Sequence, residues 1–221
     1  MKEKYFTKDT LEGKGREMLG LAQIRKPRGM ARFNQDEIAL FVLDMQNYFF
    51  NSQSHAFVPS GPAIVPGVTT LIEAFYAKGQ PVIFTQHINT KDDAGMMKYW
   101  WRDLLTEDHP DVNLIPQLNT SSGLLVQKTQ YDAFYGTELD EILRQKDISQ
   151  VVVCGVMSHL CCETTARAAF VRDFEVYFTV DGTATYSELH HLATLRNLSH
   201  GFATLVTLQD VLDRFGEIDA S

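Results

Sequence analysis

Six short apolar runs interleaved with helical stretches decide the fold class of this 221-residue chain. The runs are IALFVL (38–43), PVIFTQ (81–86), GLLVQ (123–127), QVVVCGV (150–156), EVYFTV (175–180) and ATLVTL (203–208), rich in Val, Ile and Phe, and each reads as a buried strand. Helical periodicity falls between them at 65–79, 136–146, 162–174 and 188–201, with a Gly or a basic last turn closing several of these stretches. Strands that alternate with helices, and that are apolar on both faces, predict an α/β chain. The expected architecture is a parallel sheet sandwiched by helices, with right-handed crossovers and ligands bound beyond the carboxyl ends of the strands.

Length and composition agree with one globular body. Hydrophobic residues make up 44% and charged residues 22%, which excludes a disordered tail. With 20 Lys and Arg against 28 Asp and Glu, the net charge of −8 argues against a nucleic-acid partner. The N-terminus MKEKYFTKDT has no apolar core to serve as a secretory signal, and no window reaches the ~18 apolar residues of a spanning helix, so no membrane partner and a cytoplasmic location are expected. Three cysteines, Cys154, Cys161 and Cys162, crowd together instead of spreading as a disulfide framework would, which fits reduced thiols.

The first 33 residues differ from the rest. Nine Lys/Arg against four acids give +5 there and leave −13 for the remainder. Gly13, Gly15, Gly20, Pro27 and Gly29 argue against a long helix. Residues 1–35 therefore read as a basic arm, laid across an acidic body or a neighbouring subunit or else loosely ordered, ahead of a domain at 36–221.

Just past the strands lie Asp44 after the first, His87 after the second, Lys128 after the third and Ser158-His159-Leu160-Cys161 after the fourth. A carboxylate, an amine and a thiol thus reach one edge of the sheet. A cysteine at the start of a helix faces free backbone N–H groups and the positive end of the helix dipole, so its thiolate is expected to be favoured, more so beside a lysine. A carboxylate in reach can take the proton and later return it. An ordinary ion pair at strand ends is the other reading of Asp44 and Lys128.

The stretches VLDMQNYFF (42–50), VQKTQYDAFYGTELDEIL (126–143) and VVVCGVMSHLCCETTARAAFVRDFEVYFTVDGTAT (151–185) resemble the isochorismatase-like cysteine hydrolase superfamily, in the right order over about residues 36–210. The resemblance implies a Rossmann-like three-layer α/β/α sandwich with a six-stranded parallel sheet, and frequent assembly as a dimer or tetramer. It places a catalytic triad on Asp44, Lys128 and Cys161, an oxyanion hole in the backbone N–H groups of Leu160 and Cys161, and a cis peptide at Val156–Met157. In the implied mechanism Asp44 deprotonates Cys161, the thiolate attacks a small amide or carbamoyl carbon, and water hydrolyses the thioester.

Departures within the motifs separate two chemistries. His159, Cys162, Thr164, Thr165 and the DMQNYF start look like the isochorismatases, which cleave a vinyl ether by proton donation from the aspartate and carry glycine at the nucleophile position. Cys161 restores the thiol of the C–N hydrolases, and amide-type hydrolysis is the leading expectation. A non-catalytic binding protein on the same scaffold is the remaining alternative.

No cofactor is expected, because no G-x-G-x-x-G or G-x-x-x-x-G-K-[ST] run follows any strand. No metal is expected either: relatives marked by an Asp-x-His pair have an aspartate that this chain lacks between Asp44 and Asp92, although His55 and His87 remain. Gln46, Tyr131, Phe134 and His159 flank the motif residues and are the expected contacts to a small-molecule substrate, drawn from a wider set that includes Phe49, His87, Trp100, Trp101 and Tyr186. Cys154 and Cys162 read as buried bystanders.

Overall fold

The computed structural model describes residues 2–23 and 33–216. Its sheet contains β1 (Ile38–Leu43), β2 (Val82–His87), β3 (Leu124–Lys128), β4 (Gln150–Val156), β5 (Glu175–Ala184) and β6 (Thr204–Val206), all parallel, in the order β3-β2-β1-β4-β5-β6. The helices are α1 (Leu11–Ala22), α2 (Asn47–Phe50), α3 (Gly61–Ala77), α4 (Met97–Trp100), α5 (Leu139–Gln145), α6 (Glu163–Phe170), α7 (Glu188–Gly201) and α8 (Leu208–Gly216). A π-type turn, Ser158–Cys162, joins β4 to α6. The result is a three-layer α/β/α sandwich. All six expected strands are present. β5 runs four residues past its apolar run, with a register shift between Val153 and Gly155 on β4.

The sheet is apolar because its inner strands, β1, β2 and β4, are buried along their whole length. Phe41, Phe84, Tyr177 and Phe178 fill the core, and a large apolar side chain stabilises by roughly 1.5–3 kcal/mol when buried. The edge strand β3 departs from the expectation of burial on both faces: Leu124 and Leu125 are exposed, where β3 ends the sheet and pairs, among the described residues, with β2 on one side only. Strand order reverses between β1 and β4, and the crevice beyond their carboxyl ends is where this topology places ligands. Among the described residues no helix is long and apolar enough to cross a membrane.

The N-terminal segment corrects the sequence reading. Despite its glycines, Leu11–Ala22 is a helix, packed on α7 and β5 with Met18 and Ala22 fully buried. Gly15 explains the tolerance: a Cβ there would lie 3.0 Å from the Cβ of Asp181, so the glycine gives up about 1 kcal/mol of helix propensity and gains close approach to β5. Upstream, Tyr5 and Phe6 are buried against His191, the Glu3 N–H donates to the Tyr186 carbonyl at 2.7 Å, and Lys14 pairs with Glu188 at 2.7 Å. The segment is thus part of the packed body up to Gln23. Arg25, Lys26, Pro27, Arg28, Gly29 and Arg32 lie outside the described residues.

Asp181, beneath α1, accepts a hydrogen bond from the Leu208 N–H at 2.8 Å, yet burial pushes its carboxyl up to about 6. A carboxyl raised in the folded state favours folding below its unfolded value of 3.8 and loses that contribution as pH rises to about 6. At pH 7 the charged form therefore costs on the order of 2–3 kcal/mol. Asp181→Asn keeps the acceptor and removes the charge. Thermal melts should show the variant more stable than the parent at pH 7, with the gain vanishing near pH 4; equal melting temperatures at both pH values would contradict this assignment.

Candidate active site

Asp44 follows β1 directly and turns the chain with a φ of 49°, a left-handed conformation that a non-glycine residue adopts at a cost of roughly 1–2 kcal/mol. The neighbouring strand makes room for it. Gly155 on β4 pairs with Leu43, has a φ of 115°, and a Cβ there would lie 2.2 Å from the Leu43 carbonyl oxygen, so glycine alone allows the approach. The next peptide bond but one, Val156–Met157, is cis, at the position the motif resemblance implies. The chain then enters the π-type turn that carries Cys161.

These elements bring Asp44, Lys128 and Cys161 together. The Lys128 ammonium, 2% exposed at the end of β3, lies 2.7 Å from Asp44 Oδ2 and 3.6 Å from Cys161 Sγ, and donates to the Gln130 carbonyl at 2.9 Å. Asp44 Oδ1 accepts from the Thr85 hydroxyl at 2.5 Å, and the same hydroxyl accepts from the Asp44 N–H at 3.0 Å. Asp44 is therefore held by an opposite charge and by β2, and Lys128 by an opposite charge and a carbonyl of the loop that follows it.

Burial opposes charge on all three groups, and the partners decide the outcome. Burial would raise the Asp44 carboxyl, but Lys128, His87 and a hydrogen bond from the Cys161 thiol together hold it below the usual carboxylate range. Burial would lower Lys128, but Asp44 and Cys161 keep it high. Cys161 goes the other way: burial and the Asp44 charge push the thiol well up, and Lys128 offsets only part of that. The expectation of a favoured thiolate is thus corrected. At rest the site holds a carboxylate, an ammonium and a protonated thiol, because burial first and the Asp44 charge second oppose the thiolate more than Lys128 favours it. His87 is pushed down to about 4, first by burial and then by Lys128, and is neutral at pH 7.

A consequence can be measured with iodoacetamide. Labelling of Cys161 at pH 7 should be slow and should accelerate only above the ordinary thiol range of ~8.5. In Asp44→Asn the charge that raises the thiol is gone while Lys128 stays, so labelling at pH 7 should be faster than in the parent. Peptide mass spectrometry distinguishes Cys161 from Cys154 and Cys162, which are fully buried free thiols. Slower labelling in Asp44→Asn would show that Asp44 does not set the thiol's protonation.

Cys161 opens onto a cavity with an empty volume of about 440 Å³. Its walls are mostly apolar and aromatic, among them Phe49, Met97, Trp101, Leu105 and Tyr131; the polar lining groups are His87, Asn89 and Asp103, with the hydroxyls of Tyr48 and Tyr131. Tyr131 lines the cavity, its hydroxyl accepting from Trp101 Nε1 at 2.8 Å.

Three expected contacts are corrected. Gln46 is fully buried, and its side-chain amide is committed to the backbone: Nε2 donates to the carbonyls of His87 (3.1 Å) and Val112 (2.7 Å), and Oε1 accepts from the His87 N–H (2.9 Å). It fastens β1 to β2. Phe134 packs in the core against Phe41 and Phe174. His159 does not line the cavity; it bonds Thr185 Oγ1 at 2.5 Å, stacks near His190, and is pushed down to about 4 by burial. The Leu160 N–H is likewise committed, to the Met157 carbonyl at 3.0 Å, because the wide turn curls that amide back on itself. Of the wider set, Phe49, His87 and Trp101 line the cavity, while Trp100 is exposed and Tyr186 lies beside His159.

Sequence reasoning missed Tyr48 and Asp103. The Tyr48 hydroxyl donates to Asp103 Oδ1 at 2.6 Å, and His55 Nε2 also meets Oδ1. A carboxylate therefore does reach His55, from a loop 48 residues further along the chain. It still does not make a metal centre: among the described residues no three His, Cys, Asp or Glu side chains are grouped so as to hold a metal ion, and His87 Nε2 is bonded to Asn89 Oδ1 at 2.7 Å. The residues present do not fit a zinc site, which takes at least three protein ligands.

Comparison with known proteins places this geometry. The model of the isochorismatase domain matches residues 38–210. Nicotinamidase 3 of Arabidopsis thaliana is 39% identical over 178 residues, covering 78% of this chain and 86% of its own length. Among solved structures, a cysteine hydrolase from Pseudomonas syringae pv. phaseolicola 1448A superposes with a TM-score of 0.80 at 27% identity, over 88% of this chain and 97% of that one. The zinc complex of the Pyrococcus horikoshii pyrazinamidase has a TM-score of 0.71 at 26% identity, over 77% and 99%. With the fold, the strand-end carboxylate and lysine, and a domain match spanning most of the chain, this protein is a hydrolase of the isochorismatase family.

Proposed function

We propose that the protein hydrolyses the C–N bond of a small amide, carbamoyl or ureido compound through a thioester on Cys161, without a metal, in a reducing compartment such as the cytoplasm. The observation that carries this reading is the single ammonium that touches both partners, 2.7 Å from Asp44 and 3.6 Å from the Cys161 sulfur. As a carbonyl carbon approaches, the thiol proton passes to Asp44 along their existing contact and sulfur attacks. The net charge of the site is unchanged, since one anion replaces another beside Lys128. Asp44 then gives the proton to the leaving nitrogen, and water cleaves the thioester to release the acid and restore the thiol. The Cys161 N–H is the group this reading assigns to the oxyanion. Relatives named as a nicotinamidase and a pyrazinamidase support amide chemistry.

The vinyl-ether alternative needs Asp44 alone and a substrate with two carboxylates. Among the described residues no Arg or Lys lines the cavity, and Lys128 is already paired, which disfavours a dianion. The test is a screen of small primary amides for ammonia release beside an assay of isochorismate cleavage. Ammonia release without isochorismate cleavage is the expected result; the reverse would sink the proposal.

A further inference from the structure

The cavity has a floor and a mouth with different chemistry. Cys161, 4% exposed, lies at the floor, whereas the Asp103 side chain is 45% exposed and lines the same cavity. Asp103 is held in place. Tyr48, itself buried, donates to Oδ1 at 2.6 Å, and His55 approaches the same oxygen. Among the described residues no hydrogen bond falls on Oδ2. Arg102, the chain neighbour, is exposed and no part of the lining; among the described residues the ion-pair partner of Asp103 is His55, on Oδ1, which leaves Oδ2 open.

From this we infer that Asp103, fixed by Tyr48 and His55 at the cavity mouth, sets the charge class of the substrate. It accepts from an N–H or attracts a positive ring at the end of the molecule remote from the scissile amide, and it turns away substrates that carry an anion there. The aromatic walls, Tyr48, Phe49, Trp101 and Tyr131, suit a flat ring between that end and the thiol. Selection by charge works in both directions, since a carboxylate that attracts a cation repels an anion of the same shape. The inference rests on the amide-hydrolase reading for its choice of probes, but it concerns binding and can be judged separately.

Three probes of one shape test it: 1-methylpyridinium-3-carboxamide (cationic), benzamide (neutral) and 3-carbamoylbenzoate (anionic). Their dissociation constants are measured by calorimetry on the full-length Cys161→Ala protein, with and without Asp103→Asn, and ammonia release is measured on the parent protein. The cationic probe should bind more tightly than the anionic one by about tenfold or more, as one half-exposed charge at a cavity mouth can provide. Asp103→Asn should erase that ratio. Tyr48→Phe, which removes the hydroxyl that bonds both Asp103 and His55, should shrink it. If the ratio collapses in Asp103→Asn but the parent releases no ammonia, the charge selection stands and the amidase reading falls. If ammonia is released while the ratio ignores Asp103, or if no probe binds at millimolar concentration, the charge selection is overturned.

Discussion

Replacing Lys128 with methionine is expected to lower stability by about 3–5 kcal/mol and to remove turnover together with it. The reason is the state of Asp44 once its partner is gone. Removing one member of a buried ion pair leaves the other charge uncompensated, and that penalty exceeds anything the pair contributes while intact. Asp44 is fully buried, and of the groups that hold it down Lys128 is the largest. In the parent, with the Asp44 carboxyl lowered in the folded state, its contribution to stability is present above the unfolded value of 3.8 and lost as pH falls below it. In Lys128→Met the folded carboxyl lies above the unfolded one, so the sign reverses. The variant's deficit should be greatest at neutral pH and should shrink toward pH 4, where Asp44 takes up a proton. Denaturant melts at pH 7 and pH 4 measure this. Adding Asp44→Asn to Lys128→Met should recover much of the lost stability at pH 7 but none of the activity, a non-additivity that a merely structural lysine would not produce.

Cys161→Ala should lower kcat/KM for amide hydrolysis by roughly 10⁴-fold or more, equivalent to at least ~5 kcal/mol of transition-state stabilisation. No other thiol can substitute. Cys154 Sγ donates to the Phe41 carbonyl at 3.3 Å inside the sheet, and Cys162 is fully buried, with burial pushing its thiol well up. The substitution removes one sulfur from a floor that Asp44 and Lys128 still hold, so the melting temperature should stay near that of the parent. Loss of activity with the fold retained separates a nucleophile from a packing residue. Asp44→Asn should be as damaging to turnover, yet should make Cys161 easier to alkylate at pH 7. A thiolate that forms readily but has no proton to hand to the leaving nitrogen does not complete the reaction.

The parts of this site legible in the sequence are those set by strand ends. In a parallel sheet the residue after each strand lands on one edge, so Asp44 after IALFVL and Lys128 closing GLLVQK could be brought together before any side-chain geometry was known. The GVMSHLCCETTA stretch located Cys161 by local pattern as well. The hidden parts depend on packing between distant segments. The protonation of Cys161 follows from its burial beside Asp44, which no spacing reveals. Gln46 and Phe134 flank the motif residues in the chain, but the backbone of β2 and the ring of Phe174 claim them. Asp103 lies in the stretch KYWWRDLL, 48 residues from His55, and only the folded loop brings the two together. The glycines of α1 read as helix breakers until Asp181 shows what Gly15 makes room for.

The central claim is that Cys161 becomes acylated. Intact-mass spectrometry after rapid acid quench of the full-length protein with a hydrolysed amide tests it most directly, with hydroxylamine added in a parallel sample to intercept the acyl group. The account predicts an adduct of the acyl mass on the Cys161 peptide, its loss to hydroxylamine as the hydroxamate, and no adduct in Cys161→Ala. Steady turnover with no adduct, undiminished in Cys161→Ala and abolished only by Asp44→Asn, would contradict it and assign the reaction to the aspartate alone.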